Sequence, residues 1–179
     1  MSYFFTADEH YHHANIIKYC NRPFKNVDDM DTEIIKRHNK VVKSDDIVIH
    51  AGDFTMRKNA REAKNYIKRL NGKHIFIRGS HDYWMDNSYH EIWEKQIGDN
   101  YIVVCHYAMR VWTKSHYNSW QLFGHSHGKL EEIGKQMDIG VDVCYDGHKA
   151  FYPFSFNEIK ERMKNKEDNF NFIKKINAL

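Results

Sequence analysis

The chain has 179 residues, of which 41% are hydrophobic and 28% are charged, and 27 basic residues against 24 acidic ones give a formal net charge of +3. This composition is typical of a globular protein with a full core and excludes a disordered chain. The charge is too small to indicate nucleic-acid binding by itself.

Strands and helices alternate along the chain without a Ser/Gly-rich linker. The predicted elements are, in chain order, a strand at Tyr3–Ala7, a helix at Asp29–Val42, a strand within Asp46–Ala51, a helix at Asn59–Leu70, and strands at His74–Arg78, Tyr101–Cys105, Trp120–Phe123 and Met137–Val143. From about residue 155 a closing helix, capped by Ser155 or Asn157, leads into a charged tail. We therefore predict one domain over residues 1–179, with α/β packing.

Cysteine usage and hydropathy predict where the protein works. Cys20, Cys105 and Cys144 are odd in number and form no C-x-x-C pair, which argues against a disulfide framework. No apolar run reaches the roughly 18 residues that a membrane span needs, and the first residues, MSYFFTADEH, do not resemble a signal peptide. We expect a cytoplasmic protein with no membrane partner, and the sequence leaves its oligomeric state open.

Five of the predicted strands end in a short group of Asp, His or Gly residues. The groups are Asp8-Glu9-His10, Gly52-Asp53, Gly79-Ser80-His81-Asp82, His106, and Gly124-His125-Ser126-His127-Gly128. In open α/β sheets the carboxyl ends of the strands collect at one edge, where ligand sites form. The sequence therefore predicts one convergent site.

The residue types in these groups indicate metal chemistry. Carboxylates and neutral imidazoles are ligands for Mn²⁺, Fe²⁺, Ni²⁺ and Zn²⁺, and in an extended segment residues i and i+2, such as Asp8 and His10, reach the same side. A lone D-x-H or Gly-Asp has an ordinary structural explanation, such as a turn. Two carboxylates and four imidazoles together exceed what one ion needs, whereas two metals sharing a bridging carboxylate use them all.

The motif order resembles that of a known family, the calcineurin-like metallophosphoesterases. Their order is D-x-H, G-D, G-N-H-[DE], a single His and G-H-x-H, and this chain matches it over about residues 1–150. The stretch YHHANIIKYCNRPF is also similar to small bacterial and phage members. The resemblance implies a four-layer αββα sandwich, with two mixed β-sheets packed face to face and helices outside. It also implies a phosphoesterase whose two-metal centre carries a bridging hydroxide.

The resemblance divides the metal ligands into two sets. The first set is Asp8, His10 and His127. The second set is His106, His125 and the residue at position 80, with Asp53 bridging the two ions. The implied cofactors are two divalent transition-metal ions, with Mn²⁺ as the first choice and Fe, Ni or Zn as alternatives.

Position 80 departs from the family pattern. Ser80 stands where the family has an asparagine whose amide oxygen binds the second metal, and a neutral hydroxyl is a poorer ligand. Ser80 could hold a water in its place, weaken the second site or reduce catalysis. We expect an active enzyme with a weaker second site.

Three further residues are candidates for the catalytic chemistry. The resemblance places His81 beside the scissile phosphate, where it would stabilise the transition state or protonate the leaving oxygen. Asp82 would orient His81 or support the site from behind. Arg57, in GDFTMR, would contact the phosphate, with an ordinary solvated arginine at a helix start as an equal alternative.

Some surrounding residues allow a functional and a structural interpretation. His12 or His13 could line the pocket or lie at the surface, whereas His50 fits a buried packing residue. Aromatic side chains could stack on a nucleobase, although core packing is the commoner role of such residues. These aromatic candidates are Tyr83, Trp84, Trp112 and Trp120.

The sequence therefore predicts a metal-dependent phosphoesterase. Its expected partner is a small phosphate ester or a nucleotide, with diesters favoured over monoesters because His81 is present to assist the leaving group. Nucleic acid is a further candidate, as the substrate of an end-processing phosphodiesterase, with the +3 charge as weak support. The alternative from another class is a catalytically weakened family member that acts as a binding or scaffold protein.

Overall fold

The computed structural model describes residues 1–86 and 89–169 of the chain. Within them the elements are, in chain order, β1 (Tyr3–Thr6), α1 (Ala14–Tyr19), α2 (Val27–Val41), β2 (Ile47–His50), α3 (Ala60–Ile67), β3 (Lys73–Phe76), β4 (Ile92–Ile97), β5 (Asn100–Cys105), β6 (Trp120–Phe123), β7 (Gln136–Asp138), β8 (Phe154–Ser155) and α4 (Phe156–Met163). No helix in the described ranges is long and apolar enough to cross a bilayer.

The strands form two mixed four-stranded sheets. Sheet 1 has the order β3-β2-β1-β8, with β1, β2 and β3 parallel and β8 antiparallel to β1. Sheet 2 has the order β4-β5-β6-β7, with β4 antiparallel to β5 and the other pairs parallel. Because five of the parallel strands run straight into the predicted site groups, their carboxyl ends position the functional residues.

The two sheets pack face to face around one core. Every second residue of β1 and β2, and of the segments directly after them, points towards sheet 2. Phe5 and Ile49 are among these residues, and they pack against Ile102, Val104 and Leu122 of sheet 2. The opposite face of sheet 1 is covered by helices, because α2 and α3 carry apolar residues at helical spacing that pack on residues of and after β2 and β3. The expectation of two mixed sheets flanked by helices is confirmed.

Three elements were not predicted from the sequence. Helix α1 is only six residues long, β8 only two, and β4 has the polar sequence IWEKQI, of which one residue is buried. Such segments carry weak local signals, and tertiary pairing stabilises them. The closing helix is confirmed, and Ser155 is its N-cap, in a capping box with Glu158. The tail beyond residue 169 lies outside the described residues.

Candidate metal centre

All five sequence groups meet at one edge of the two sheets. A parallel bridge between Ala7 and Gly140 joins the end of β1 to the segment after β7 and so links the two sheets there. The ligand atoms of Asp8, His10 and His127 lie within 4.8 Å of one another. A second set, Asp53, His106 and His125, does so too. The second set grouped from the sequence contained His106, His125 and Ser80, with Asp53 as the bridge.

The carboxylate of Asp53 lies between the two sets. Its Oδ2 is 3.6 Å from Nε2 of His10 and 3.5 Å from Nε2 of His106. Both ring nitrogens are buried and have no hydrogen-bond partner. A buried polar atom left unpaired is unfavourable, and a cation that binds both nitrogens would satisfy them. The residues present therefore fit a pair of divalent ions that share Asp53.

In two of the candidate ligand histidines, His106 and His127, the Nδ1 atom forms a hydrogen bond with a neighbouring protein group. Nδ1–H of His106 donates to the carbonyl of Ala51 at 2.8 Å, and Nδ1–H of His127 donates to Asp142 at 2.7 Å. Each hydrogen bond favours the tautomer that leaves Nε2 free as a ligand. The imidazoles are therefore oriented for metal binding by the fold itself.

The carboxylate of Asp8, in the first set, is buried close to other carboxylates. Burial raises the pKa of Asp8 well above its usual value, and the nearby carboxylates of Asp138 and Asp53 raise it further. The backbone N–H of His125 donates to both carboxylate oxygens of Asp8, at 3.0 and 2.8 Å, and partly offsets this effect. A divalent cation would relieve the remaining repulsion.

The backbone at the ligands adopts a conformation that side chains disfavour. Asp8, His10, Asp53, His125 and His127 all have φ values between 48° and 67°, in the left-handed region. Each such residue costs about 1–2 kcal/mol, and strain of this kind clusters at functional sites. Five of the six Asp and His ligands predicted from the sequence share it.

The side chain at position 80 contacts the carboxylate of Asp53. The Ser80 hydroxyl is exposed and donates to the Asp53 carboxylate, at 3.1 Å from Oδ2. His81 donates its backbone N–H to Asp53 Oδ1 at 2.8 Å, and its imidazole is 40% exposed, with Nε2 4.0 Å from Asp53 Oδ2. The turn therefore orients the bridging carboxylate and leaves the His81 ring free at the surface of the site.

Asp82 lies beneath the two loops that carry Asp53 and Ser80. It is buried and accepts hydrogen bonds from the N–H groups of Asp53, Phe54 and Gly79 and from the indole of Trp84. These bonds tie the loop after β2 to the turn after β3. These contacts are of the kind expected for a residue that supports the site, and the role of Asp82 in the reaction stays a prediction.

Arg57 is not among the residues that line the cavity over the candidate ligands, and its contact with the phosphate stays a prediction. Its guanidinium lies 3.5 Å from Glu62 of α3, and it lines a separate surface pocket with Glu62, Tyr66 and Arg69. Arg57 lies in the segment between Thr55 and the N-cap of α3, Asn59, within reach of Glu62 in the first turn of that helix. The alternative, an arginine at a helix start, describes what is found.

Two residues missed in the sequence hold the first set in place. Arg22 is buried and forms a two-pronged ion pair with Asp142, with both distances 2.8 Å. It also donates to the carbonyls of Asp8 and Glu9, at 2.7 and 2.9 Å. Asp142 follows β7 after a glycine, in GVD, so the strand-end rule applied to a sixth strand could have found it. Arg22 gave no comparable signal.

A cavity of about 340 Å³ opens over the metal ligands. It is lined by His10, Asp53, His81, His125 and His127, and further by His13, Ile16, Tyr19, Cys20, Met56 and Lys129. Of the two uncertain histidines, His13 therefore lines the pocket. A larger cavity of about 580 Å³ lies between α4 and the segment 145–148 and contains none of the predicted site residues. The smaller one is the better candidate, because the strained and unpaired groups face it.

The other uncertain side chains lie in the core. His50 is fully buried and hydrogen-bonded to Glu9 and His74, as expected for a packing residue. Trp84, Trp112 and Trp120 are also buried. Tyr83 is 60% exposed and remains a surface residue.

Comparison with known proteins shows similarity to proteins without an assigned function. The uncharacterized protein MJ1445 of Methanocaldococcus jannaschii is 52% identical over 77 residues, which are 42% of this chain and 44% of the relative. The match thus spans less than half of that protein's length. No protein-family model matches the chain.

One solved structure shows the same fold over most of this chain. The protein of unknown function AQ665 from Aquifex aeolicus aligns over 90% of this chain and 98% of its own, with a TM-score of 0.66 at 23% identity. A Vps29 variant from Entamoeba histolytica aligns over 81% and 77%, with a TM-score of 0.48 at 17% identity. The chain therefore shares its two-sheet fold with AQ665 over nearly the full length of that protein.

Proposed function

We propose that the protein is a metal-dependent phosphoesterase of the calcineurin-like type, similar to the small bacterial and phage members. It would hydrolyse phosphodiester bonds, and phosphomonoesters as the second choice. One observation carries the proposal: the unpaired Nε2 atoms of His10 and His106 lie on either side of one oxygen of Asp53. Such an arrangement supports two ions that share a bridging carboxylate.

The ligands would be divided as in the sequence pattern. Asp8, His10 and His127 would hold the first ion, and His106 and His125 the second, with Asp53 between them. When bound, the ions supply positive charge to phosphate oxygens and lower the pKa of a bound water. Imidazole and carboxylate ligands suit Mn²⁺, which is our first choice, and also Fe, Ni or Zn.

His81 would supply the proton for the leaving group. In hydrolysis, the oxygen of a water forms a bond to phosphorus and the ester P–O bond breaks. The leaving oxygen takes a proton from the His81 imidazole, and the proton lost by the water passes to solvent. The ring is suited to this because it faces the cavity and its backbone is fixed by the hydrogen bond to Asp53.

The second set would bind its ion more weakly than the first. The Ser80 hydroxyl donates its hydrogen bond to Asp53, and the His125 side chain is exposed. The first set, in contrast, is held by the buried Arg22 and Asp142. We infer that the two ions load in order, with the Asp8 set filled first.

The surroundings fit a cytoplasmic enzyme. All three cysteines are free, which supports a reducing compartment. The cavity over the ligands is large enough for a phosphate and its adjoining groups, so the proposed partner is a phosphate ester or nucleotide, with nucleic acid as a further candidate.

The test is hydrolysis of bis-p-nitrophenyl phosphate and p-nitrophenyl phosphate by full-length protein that has been stripped of metal and reloaded with Mn²⁺, Ni²⁺ or Zn²⁺. We expect about two ions per chain by elemental analysis and turnover that falls by about 10²-fold or more in Asp53→Asn, because the shared carboxylate is lost. Asp31→Asn is the matched control, since Asp31 is a buried carboxylate that contacts His12 and Tyr66.

Ser80→Asn is the second variant of the same assay. It restores the family's amide at position 80, and we expect a higher affinity for the second ion. If no metal gives Asp53-dependent turnover in either the native protein or Ser80→Asn, the esterase proposal is wrong and the scaffold alternative becomes the better account.

A further inference from the structure

Two exposed tyrosines of the described chain, Tyr19 and Tyr107, lie beside the candidate site. Four tyrosines are exposed, namely Tyr19 (66%), Tyr83 (60%), Tyr107 (48%) and Tyr117 (73%), whereas the tryptophans are buried. Tyr107 directly follows the ligand His106, Tyr83 lies two residues after His81, and Tyr19 lines the cavity. An exposed ring leaves apolar surface in water, so such a cluster indicates a surface that receives a ligand.

Two of these rings lie at opposite ends of the row of ligands. The Tyr107 ring is 4.8 Å from the rings of both His106 and His125, at the second set. The Tyr19 ring is 6.2 Å from that of His13, and Nδ1 of His13 is 3.3 Å from Nδ1 of His10, in the first set. A phosphate placed over Asp53 would therefore have one tyrosine on each side.

The cavity is large enough for the phosphate of a substrate but not for all of the groups attached to it. About 340 Å³ is at the lower end of small-molecule sites, which leaves room for a phosphate and the adjoining sugar atoms. Larger substituents must extend beyond the cavity, towards Tyr19 in its wall or towards Tyr107 beside His106 and His125. Lys129 also lines the cavity and adds a positive charge that suits a phosphodiester.

We propose that the substrate is a phosphodiester between two nucleosides, as in a dinucleotide or a single-stranded nucleic acid, with Tyr19 and Tyr107 each stacking on one of the two bases. This inference rests on the proposed function. Stacking accepts any base, so the site selects for a base on both sides of the scissile phosphate without reading sequence. Nothing in these contacts separates RNA from DNA, and both are arms of the test.

The experiment measures KM and kcat for d(ApA), for ApA, and for dinucleotides in which one or both deoxyadenosines are replaced by an abasic sugar. Native metal-loaded protein is compared with Tyr19→Ala, Tyr107→Ala and the control Tyr117→Ala, whose exposed ring contacts His116, a residue outside both ligand sets. Stacking on one base is worth about 1–3 kcal/mol. We therefore expect KM to rise roughly 5- to 150-fold in each site variant, with little change in kcat or in Tyr117→Ala.

A coupling test identifies which ring receives which base. Removing the base that Tyr107 contacts should raise KM in native protein and cause no further loss in Tyr107→Ala, while Tyr19→Ala stays sensitive to it. The same comparison, made by calorimetric titration of d(ApA) and ApA into Asp53→Asn, gives a readout that needs no turnover.

The outcomes separate this inference from the proposed function. If the doubly abasic diester is hydrolysed with the KM of d(ApA), and both tyrosine variants match native protein, the base-stacking inference is wrong while the phosphoesterase stands. Asp53-independent turnover of every diester would instead contradict the phosphoesterase. If d(ApA) and its abasic analogues then bind Asp53→Asn with equal affinity in the calorimetric titration, the stacking inference is contradicted as well.

Discussion

Among single residues, His127 shows how the fold prepares a ligand. Its ring is stacked on that of His10, with centroids 5.3 Å apart, and its Nδ1–H is held by Asp142. Burial opposes ionisation of Asp142, but the contacts with His127 and Arg22 outweigh it and lower the pKa of this carboxyl. A charged Asp142 fixes the ring orientation and makes Nε2 a stronger ligand.

Asp142→Asn should therefore weaken metal binding by about 10- to 100-fold, because a neutral amide orients the imidazole less well and no longer raises its basicity. Calorimetric titration of metal-free protein with Mn²⁺ or Zn²⁺ measures the effect, and the loss should fall on the tighter of the two binding events.

Asp31→Asn serves as the control for the loss of a buried carboxylate outside the centre, and thermal unfolding shows whether Asp142→Asn still folds with Arg22 unpaired. A folded Asp142→Asn protein with native affinity for both ions would show that Asp142 does not position His127.

At the level of elements, the parallel neighbours β2 and β3 bring two loops into direct contact. The chain after β2 carries Asp53, and the chain after β3 carries Gly79, where a Cβ would lie 2.2 Å from the backbone nitrogen of Asp53. No side chain fits at that distance. Glycine is required here because two backbones meet, and the contact also places Ser80 and His81 against the bridging carboxylate.

Gly79→Ala should destabilise the protein by about 3 kcal/mol or more, at the upper end of overpacking effects, and should abolish metal binding by displacing Asp53. Urea unfolding and metal titration measure the two effects separately.

Gly98→Ala is the comparison, because a Cβ at Gly98 meets open space and only its φ of +56° is unfavourable, which costs about 1–2 kcal/mol. Native metal affinity in Gly79→Ala would contradict the close approach of the two loops.

For the molecule as a whole, a buried imidazole cluster links stability to pH. His50 bonds to Glu9 at 2.7 Å and to His74 at 2.9 Å, and the His38 ring stacks nearby. Burial lowers the pKa of His38 from 6.5 to about 4, and the pKa values of His50 and His74 from 6.5 to about 3. Burial also raises the pKa of Glu9 from 4.5 to about 7.

The sign of the pH dependence follows from these shifts. Between pH 6.5 and about 4 the unfolded chain holds protons on the three imidazoles that the native protein does not, so each imidazole makes the free energy of unfolding fall as the pH falls. Glu9 acts in the opposite direction between pH 7 and 4.5, because its native form holds the proton. Within this cluster the three imidazoles outnumber the one carboxyl, so the contribution of the cluster to the free energy of unfolding falls in acid.

We expect the free energy of unfolding of metal-free protein to drop from pH 7 to pH 5, and His74→Phe to reduce this slope by up to about 1.4 kcal/mol per pH unit. Urea unfolding at pH 7, 6 and 5 gives the slope of the free energy of unfolding against pH. A loss of stability that is the same at every pH does not change this slope. His116→Phe, at an exposed position, is the control, and equal slopes in native protein and His74→Phe would show that His74 does not contribute.

The sequence by itself determined the residue types of the candidate site and the edge of the sheets at which they meet. Strands ending in Asp8, Asp53, His106 and the His125–His127 pair could be recognised from local patterns, because alternation marks a strand and a polar group marks its end. The Ser155 cap is equally local. These features depend only on neighbours in the chain.

Only the tertiary structure decided which supporting groups hold that edge. Arg22 and Asp142 are 120 residues apart in the chain. The two-residue strand β8 pairs with β1, which lies near the start of the chain, and Arg57 contacts Glu62 of α3. Long-range contacts of this kind leave no periodic trace, because the free energy that selects them comes from burial and pairing across the core. The chain alone therefore indicated the chemistry, and packing decided which side chains reach it.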